Sequence, residues 1–172
     1  MKFSYDTLID AAPGSIDLGE WLFGMTDEEY VACSPGHRAM GINGGSARVG
    51  VVNVESVGGV MMIQHYRPEV VRPDHVKLVS DSSQALLLHV FPARIRVLWE
   101  MQTFATANGT TGFRGSVEVT MPLWVRLLAA LNCGSYFLKR HVIGETAGFA
   151  ANIAAKIKQA RSAETRRPTA AA

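Results

Sequence analysis

The 172-residue chain is poor in cysteine, in charge and in long apolar runs, and each shortage removes a class of protein. Its only cysteines, Cys33 and Cys133, lie far apart with no CxxC pair, which excludes a disulfide framework or zinc finger and suits free thiols in a reducing compartment. Charged residues make up 19% against about 25% in an ordinary globular protein, while 48% of the chain is hydrophobic, so disorder is excluded for most of its length. The net charge of +2 belongs to one end. Residues 1–160 carry fourteen Lys/Arg and fourteen Asp/Glu, and the excess is Arg161, Arg166 and Arg167 against Glu164. Nucleic-acid binding needs a basic face to neutralise phosphates, so no nucleic-acid partner is expected. The longest charge-poor stretch, Thr120 to Leu138, is interrupted by Pro122, Arg126, Asn132 and Gly134, which leaves no membrane span. The opening MKFSYDTLIDAAPG has one Lys and no apolar h-region, so a soluble, cytoplasmic protein is the expectation.

Sequence motifs are equally scarce. GINGG at Gly41 to Gly45 lacks the strand and helix of a dinucleotide fingerprint, and no GxSxG surrounds Ser46. Neither cysteine has a histidine beside it in sequence, so nucleophilic catalysis has no local support. Asn108-Gly109-Thr110 reads as a hairpin turn.

What the chain does have is a clear change of period. Lys2 to Leu8 alternates as a half-buried strand; Asp17 then caps a helix carrying Leu18, Trp21, Leu22 and Met25, and Thr26 with Asp27, Glu28 and Glu29 starts a second. Ser34 to Gly45, rich in Pro, Gly and Asn, reads as loop. Period two then runs through Val51–Val57, Val60–Tyr66, His75–Ser80, Ala85–Phe91, Arg94–Phe104 and Phe113–Met121, and the short connectors imply an antiparallel meander. Leu123 to Leu131 forms a short helix. A long one follows, with Leu138, Val142, Phe149, Ile153 and Ile157 on one stripe. One domain over residues 1–160 and a flexible basic tail over 161–172 are predicted.

This is an α+β order, and it resembles the helix-grip fold of the START, Bet v 1 and polyketide-cyclase superfamily (SRPBCC). The resemblance rests on the order of elements, the Trp21 segment and the final run FLKRHVIGETAGFAANIAAKI. It implies a curved antiparallel sheet of about seven strands wrapped around the long C-terminal helix, two short helices after strand one, and an apolar cavity between sheet and helix. Its ligands would be lipids, polyketides or aromatic metabolites. Methionine-rich, alternating strands supply candidate wall residues: Met61, Ile63 and His65 on one side of a strand, Trp99 and Met101 on another, with His141 and Phe149 from the helix.

Five histidines raise acid/base and metal readings. His37 and His75 fall in loop or turn, where solvent exposure is expected; His89, within LLLHVF, reads as a core histidine. His141 and Glu145 stand one helical turn apart, so both could reach one cation. The run HVIGE is similar to the C-terminal helix of diacetylphloroglucinol hydrolase, a zinc-dependent member of the superfamily that cleaves a carbon–carbon bond next to a ketone. That resemblance implies zinc held by His141, Glu145 and a further His and Glu from earlier in the chain, for which His65 and Glu100 are the candidates. Without metal, His65, Tyr66 or His141 would act as general acid or base, with Arg67 or Arg140 holding a carboxylate or enolate. Carriage of a hydrophobic small molecule, catalysis on one, and a protein-interaction module all stand open, as does the oligomeric state.

Overall fold

In the computed structural model, which describes residues 1–45 and 48–165 and, of these, not the side chains of 44, 45, 48, 49 and 164, the alternating segments form one seven-stranded antiparallel sheet. Its strands are β1 (Lys2–Ile9), β2 (His37–Gly45), β3 (Arg48–Val57), β4 (Val60–Arg72), β5 (His75–Leu87), β6 (Phe91–Ala105) and β7 (Thr111–Thr120), in the order β1-β7-β6-β5-β4-β3-β2. Short connectors build the meander from β2 to β7, and β1 adds to its far edge against β7. Helices α1 (Leu18–Phe23) and α2 (Asp27–Cys33) follow β1, and α3 (Leu123–Leu131) and α4 (Gly134–Thr165) end the described chain. Both predicted caps are present: the Asp17 side chain accepts from the Glu20 amide, and Thr26 and Glu29 form a capping box.

The strand count of seven is as expected, but two of its members differ. Residues Ser34–Gly45 read as loop in the sequence, whereas His37–Gly45 is β2. This strand pairs only with β3 at the sheet edge, where its glycines cost little and half of the backbone groups need no sheet partner. Conversely, His75–Ser80 and Ala85–Phe91 are not two strands joined by a turn. Asp81-Ser82-Ser83 lies within β5 at a register shift, with the Ser83 hydroxyl donating to Ser80 at 2.8 Å. Pro68 likewise sits in a shifted stretch of β4, which runs on to Arg72. The reversal between β5 and β6 falls at Leu88 to Val90, so His89 is exposed there and not a core residue. Helix α4 continues past residue 160 to Thr165; the rest of the predicted tail, 166–172, lies outside the described residues.

The predicted stripe of α4 packs on the concave face of the sheet: Leu138, Val142, Phe149 and Ile153 are buried with Trp99, Met101, Phe113 and Val117. Trp21 meets Phe149 edge to face at 5.3 Å and donates its indole N–H to Asn152 at 2.9 Å, locking α1 to α4. Helix α2 crosses α4 at Gly148. A side chain there would collide with the Cys33 backbone carbonyl, so only glycine permits the approach. We expect Gly148→Ala to cost at least about 2 kcal/mol in a urea melt, because one packed backbone must move off another; an unchanged midpoint would contradict this packing.

Candidate functional site

The close approach at Gly148 brings the start of β2 against α4, and a polar cluster forms where the two meet β3. His37 opens β2, Glu55 points inward from β3, and His141 and Glu145 come from successive turns of α4. Gly36 allows His141 to lie close, since a side chain at residue 36 would meet the imidazole. The four side chains are between 0% and 7% exposed. One ligand atom from each lies within 4.8 Å of all the others. His37 Nε2 is 3.3 Å from Glu145 Oε1 and 4.0 Å from Glu55 Oε1, and His141 Nε2 is 3.5 Å from Glu55 Oε2. Four donors bonded tetrahedrally to zinc stand about 3.3 Å apart, so two of these spacings already suit one ion.

Surrounding groups orient the donors. His37 Nδ1 faces the Tyr30 carbonyl at 2.7 Å, so it must carry the proton, and a neutral ring presents the Nε2 lone pair to the cluster. The Tyr30 ring stacks flat on His37 at 3.8 Å. Its hydroxyl donates to Glu55 Oε1 at 2.6 Å and accepts from the Asn53 amide at 2.8 Å, while that amide also donates to Glu55 Oε1 at 2.9 Å. One oxygen of Glu55 is thus held by two donors, which leaves Oε2 facing His141.

Two carboxylates buried without a Lys or Arg need positive charge from elsewhere. In the metal-free state the His141 imidazole supplies it. Burial pushes His141 down, but the Glu55 hydrogen bond and the charges of Glu55 and Glu145 outweigh this and raise it to about 9. Burial likewise pushes Glu55 up, yet His141, His37 and Tyr30 together hold it below the usual carboxylate range. Tyr30 and Tyr66 are driven well above 10 by burial and then by Glu55 and Glu145, so both stay neutral phenols. Burial and the Glu145 and Glu29 charges lift Cys33 to about 11, which keeps its thiol inert. The side-chain carbonyl oxygens of Asn53 and Gln64, two residues paired across β3 and β4, are buried without a hydrogen-bond partner among the described residues.

Of the metal candidates read from the sequence, His141 and Glu145 enter the cluster and the other two do not. His65 is on the convex face of β4 and exposed, because Met62, Gln64 and Tyr66 are the residues that turn inward. Glu100 also faces outward and accepts from His75 at 2.8 Å, which makes His75 a half-buried partner and not a free turn histidine. His37, expected at the surface, is buried. Met61 and Ile63 share the outer face with His65, whereas Trp99, Met101 and Phe149 are packed in the core, and neither they nor His141 line the apolar cavity. Arg67 pairs with exposed Asp81, and Arg140 lies over the exposed Tyr136 ring, so neither reaches the cluster.

An apolar cavity of about 100 Å³ lies beneath α3, lined among others by Val57, Met62, Leu87, Val119, Val125 and Leu138. Met62 pairs with Glu55 across β3 and β4, and Leu138 lies one turn before His141, so cavity and polar site are built on neighbouring positions of the same elements, while the four cluster side chains themselves do not line the cavity. Only Val125 of α3 is fully buried, which makes that helix a thin cover.

No family model matches the sequence, and no curated protein matches it. Solved structures do match in fold. The protein TTHA0849 from Thermus thermophilus aligns with TM-score 0.62 and 14% identity over 91% of this chain and 99% of its own. A START superfamily protein from Mycobacterium smegmatis aligns with TM-score 0.52 and 9% identity over 92% and 98%. The chain has the helix-grip fold of that superfamily. Ara h 8.0201 is a further helix-grip structure similar to it, at TM-score 0.50 and 12% identity over 92% and 98%. Within this helix-grip frame the cluster spans the grip itself, joining sheet and long helix.

Proposed function

We propose that the chain is a zinc-dependent enzyme acting on a carbonyl group of a small hydrophobic substrate, of the aromatic or polyketide-ketone kind, held between sheet and α4. The observation that carries this is the convergence of His37, Glu55, His141 and Glu145, from three separate elements, on one buried point. The donor set fits zinc, which prefers four nitrogen and oxygen ligands, and oriented outer partners at His37 and Glu55 are typical of metal-holding side chains. Similarity of HVIGE to diacetylphloroglucinol hydrolase supports the same reading, with His37 and Glu55 in the roles for which chain order suggests His65 and Glu100.

When bound, a zinc ion would supply Lewis-acid polarisation of a substrate carbonyl, which would have to join the four protein donors as a fifth ligand. The chain's own groups do the rest. The apolar wall under α3 takes the substrate's hydrocarbon part. The unpartnered Asn53 and Gln64 carbonyls suit O–H or N–H donors on a substrate, which would otherwise leave two buried acceptors empty. Tyr30 and Tyr66, kept neutral, are phenol donors and not bases. A dry cavity of about 150 Å³ accommodates benzene; at about 100 Å³ this one suits a fragment of at most ring size, and a larger ligand must displace α3.

Elemental analysis of the purified protein tests the metal. About one zinc per chain is expected, and after chelation, added Co²⁺ should give the visible d–d bands of a four-coordinate site. A native protein that retains no metal and gives no such bands with Co²⁺ would overturn the enzyme reading. It would favour the metal-free alternative, carriage of a hydrophobic molecule, for which the apolar cavity is the supporting observation.

A further inference from the structure

The cavity opens into an apolar surface that nothing in the fold covers. On α3, Leu123, Trp124, Leu127 and Leu131 are exposed, the last by 80%, while Val125 faces in. Across the mouth stands the β5–β6 turn, where Leu88, Val90 and Phe91 are exposed by half or more. Leu88 lines the cavity together with Leu128 and Asn132 of the α3 segment, so turn and helix are two lips of one opening. Leu88 also has φ +51°, a conformation unfavourable for a bulky side chain, at a turn where glycine or asparagine is usual. A large apolar tip there serves neither the turn nor the core.

The charge around these lips is of one sign. No Asp or Glu occurs from Ser82 to Val97 or from Val119 to Gly144; of the five cations in these stretches Arg96 pairs with Asp81, which leaves Arg94, Arg126, Lys139 and Arg140. All four are exposed and, among the described residues, none of them makes an ion pair. Arg94 borders the same hollow as Trp124, and Arg140 sits over Tyr136, an exposed aromatic beside exposed Phe137. Apolar side chains at the tips, amphipathic aromatics beside them and unpaired cations around the rim match a bilayer interface with anionic headgroups. A protein groove would explain the apolar tips but would need carboxylates placed opposite each cation, whereas an anionic lipid surface neutralises them in any arrangement.

We propose that the lips formed by α3 and the β5–β6 turn dock the protein on an anionic membrane surface, presenting the cavity mouth to the lipid phase. The docking stands independently of the metal site and would give a hydrophobic ligand a route into the cavity without crossing water.

Tryptophan reports on it directly, because Trp21 and Trp99 are buried and only Trp124 is exposed. Full-length protein is mixed with vesicles of phosphatidylcholine containing 30 mol% phosphatidylglycerol, and with pure phosphatidylcholine vesicles. Expected are a blue shift of the Trp124 emission and co-sedimentation with the anionic vesicles, at least tenfold weaker on the neutral ones. Leu127→Glu with Leu131→Glu should abolish both effects while circular dichroism and melting temperature stay unchanged, since both residues are exposed. Absence of binding by the folded wild type at millimolar lipid would overturn the proposal. So would binding that survives the double variant, or a stable dimer in light scattering that buries Trp124 without lipid and thereby assigns the face to a second copy.

Discussion

Replacing His37 with alanine is expected to lower zinc affinity by more than about 100-fold, since even the outer partners of a metal ligand carry about 10–100-fold. The change removes one of four donors and empties the space between Tyr30 and Glu145. It also strips the Tyr30 carbonyl of its donor, so a stability loss of about 2–4 kcal/mol should accompany it. His37→Gln keeps much of the volume and separates the two effects: metal should still be lost while more of the stability returns. Tyr30→Phe, which removes the hydroxyl that donates to Glu55 and accepts from Asn53, should weaken metal binding by about 10–100-fold. His65→Ala is the control. Its side chain is exposed on the outer face, so affinity should not change and stability should shift by no more than about 0.5 kcal/mol. Competition against a chromophoric chelator gives the affinities. A His37→Ala protein that binds zinc as the wild type does, or a His65→Ala protein that does not, contradicts the assigned centre.

Stripped of metal, the protein should lose about 3 kcal/mol of stability between pH 6.5 and 9. His141 has an ordinary value of 6.5 and stands near 9 in the fold, where the carboxylates of Glu55 and Glu145 favour its charged form. A raised folded value means that the stabilisation is complete below 6.5 and is lost as pH climbs through 9. At about 1.36 kcal/mol per unit this gives the figure above. Glu55 acts in the opposite direction at the acid end: its folded value lies below 4.5, so its contribution is present above 4.5 and disappears as pH falls through the lowered value. The chelated protein should therefore be most stable in the weakly acidic range. Metal reverses the alkaline limb, because a bound His141 is already deprotonated and zinc no longer competes with a proton as pH rises. Melting temperatures between pH 5 and 10, with chelator and with excess zinc, should diverge on the alkaline side. His141→Gln should flatten the chelated curve; a slope unchanged by that substitution would place the titrating group elsewhere.

Much of the architecture is legible from local pattern. Asp17 and Thr26 announce helices by capping chemistry that acts within three residues. The α4 stripe from Leu138 to Ile153 follows from helical spacing alone. The edge strand β2 is hidden because Gly41, Asn43 and Gly44 read as turn residues, and only pairing with β3 makes an extended conformation there worthwhile. The Asp81-Ser82-Ser83 segment misleads for the converse reason: polar residues at a bulge resemble those at a reversal, and sheet continuity alone tells them apart.

The candidate site divides along the same line. His141 and Glu145 are accessible to sequence reasoning because four residues along a helix is a fixed spatial relation. Their partners are not. Alternation sorts β4 into Met61, Ile63 and His65 against Met62, Gln64 and Tyr66, but it does not say which set faces in, and hydrophobicity favours the wrong one. In β3 the same ambiguity hides Asn53 and Glu55 behind Val52 and Val54. The inward face there is polar because it meets His37 and the α4 histidine, and that is a property of the assembled grip.

By itself, then, the sequence determined the α+β order, the helix caps, the buried stripe of α4, the neutral charge of residues 1–160 and two of the four candidate metal-ligating side chains. Tertiary structure alone decided the other two, the direction in which each strand face points, and the exposure of α3 beside the cavity mouth. The division has a physical cause. Periodicity and capping are set by interactions within a few residues, whereas His37 and Glu145 stand 108 positions apart and meet only because Gly148 lets two backbones touch.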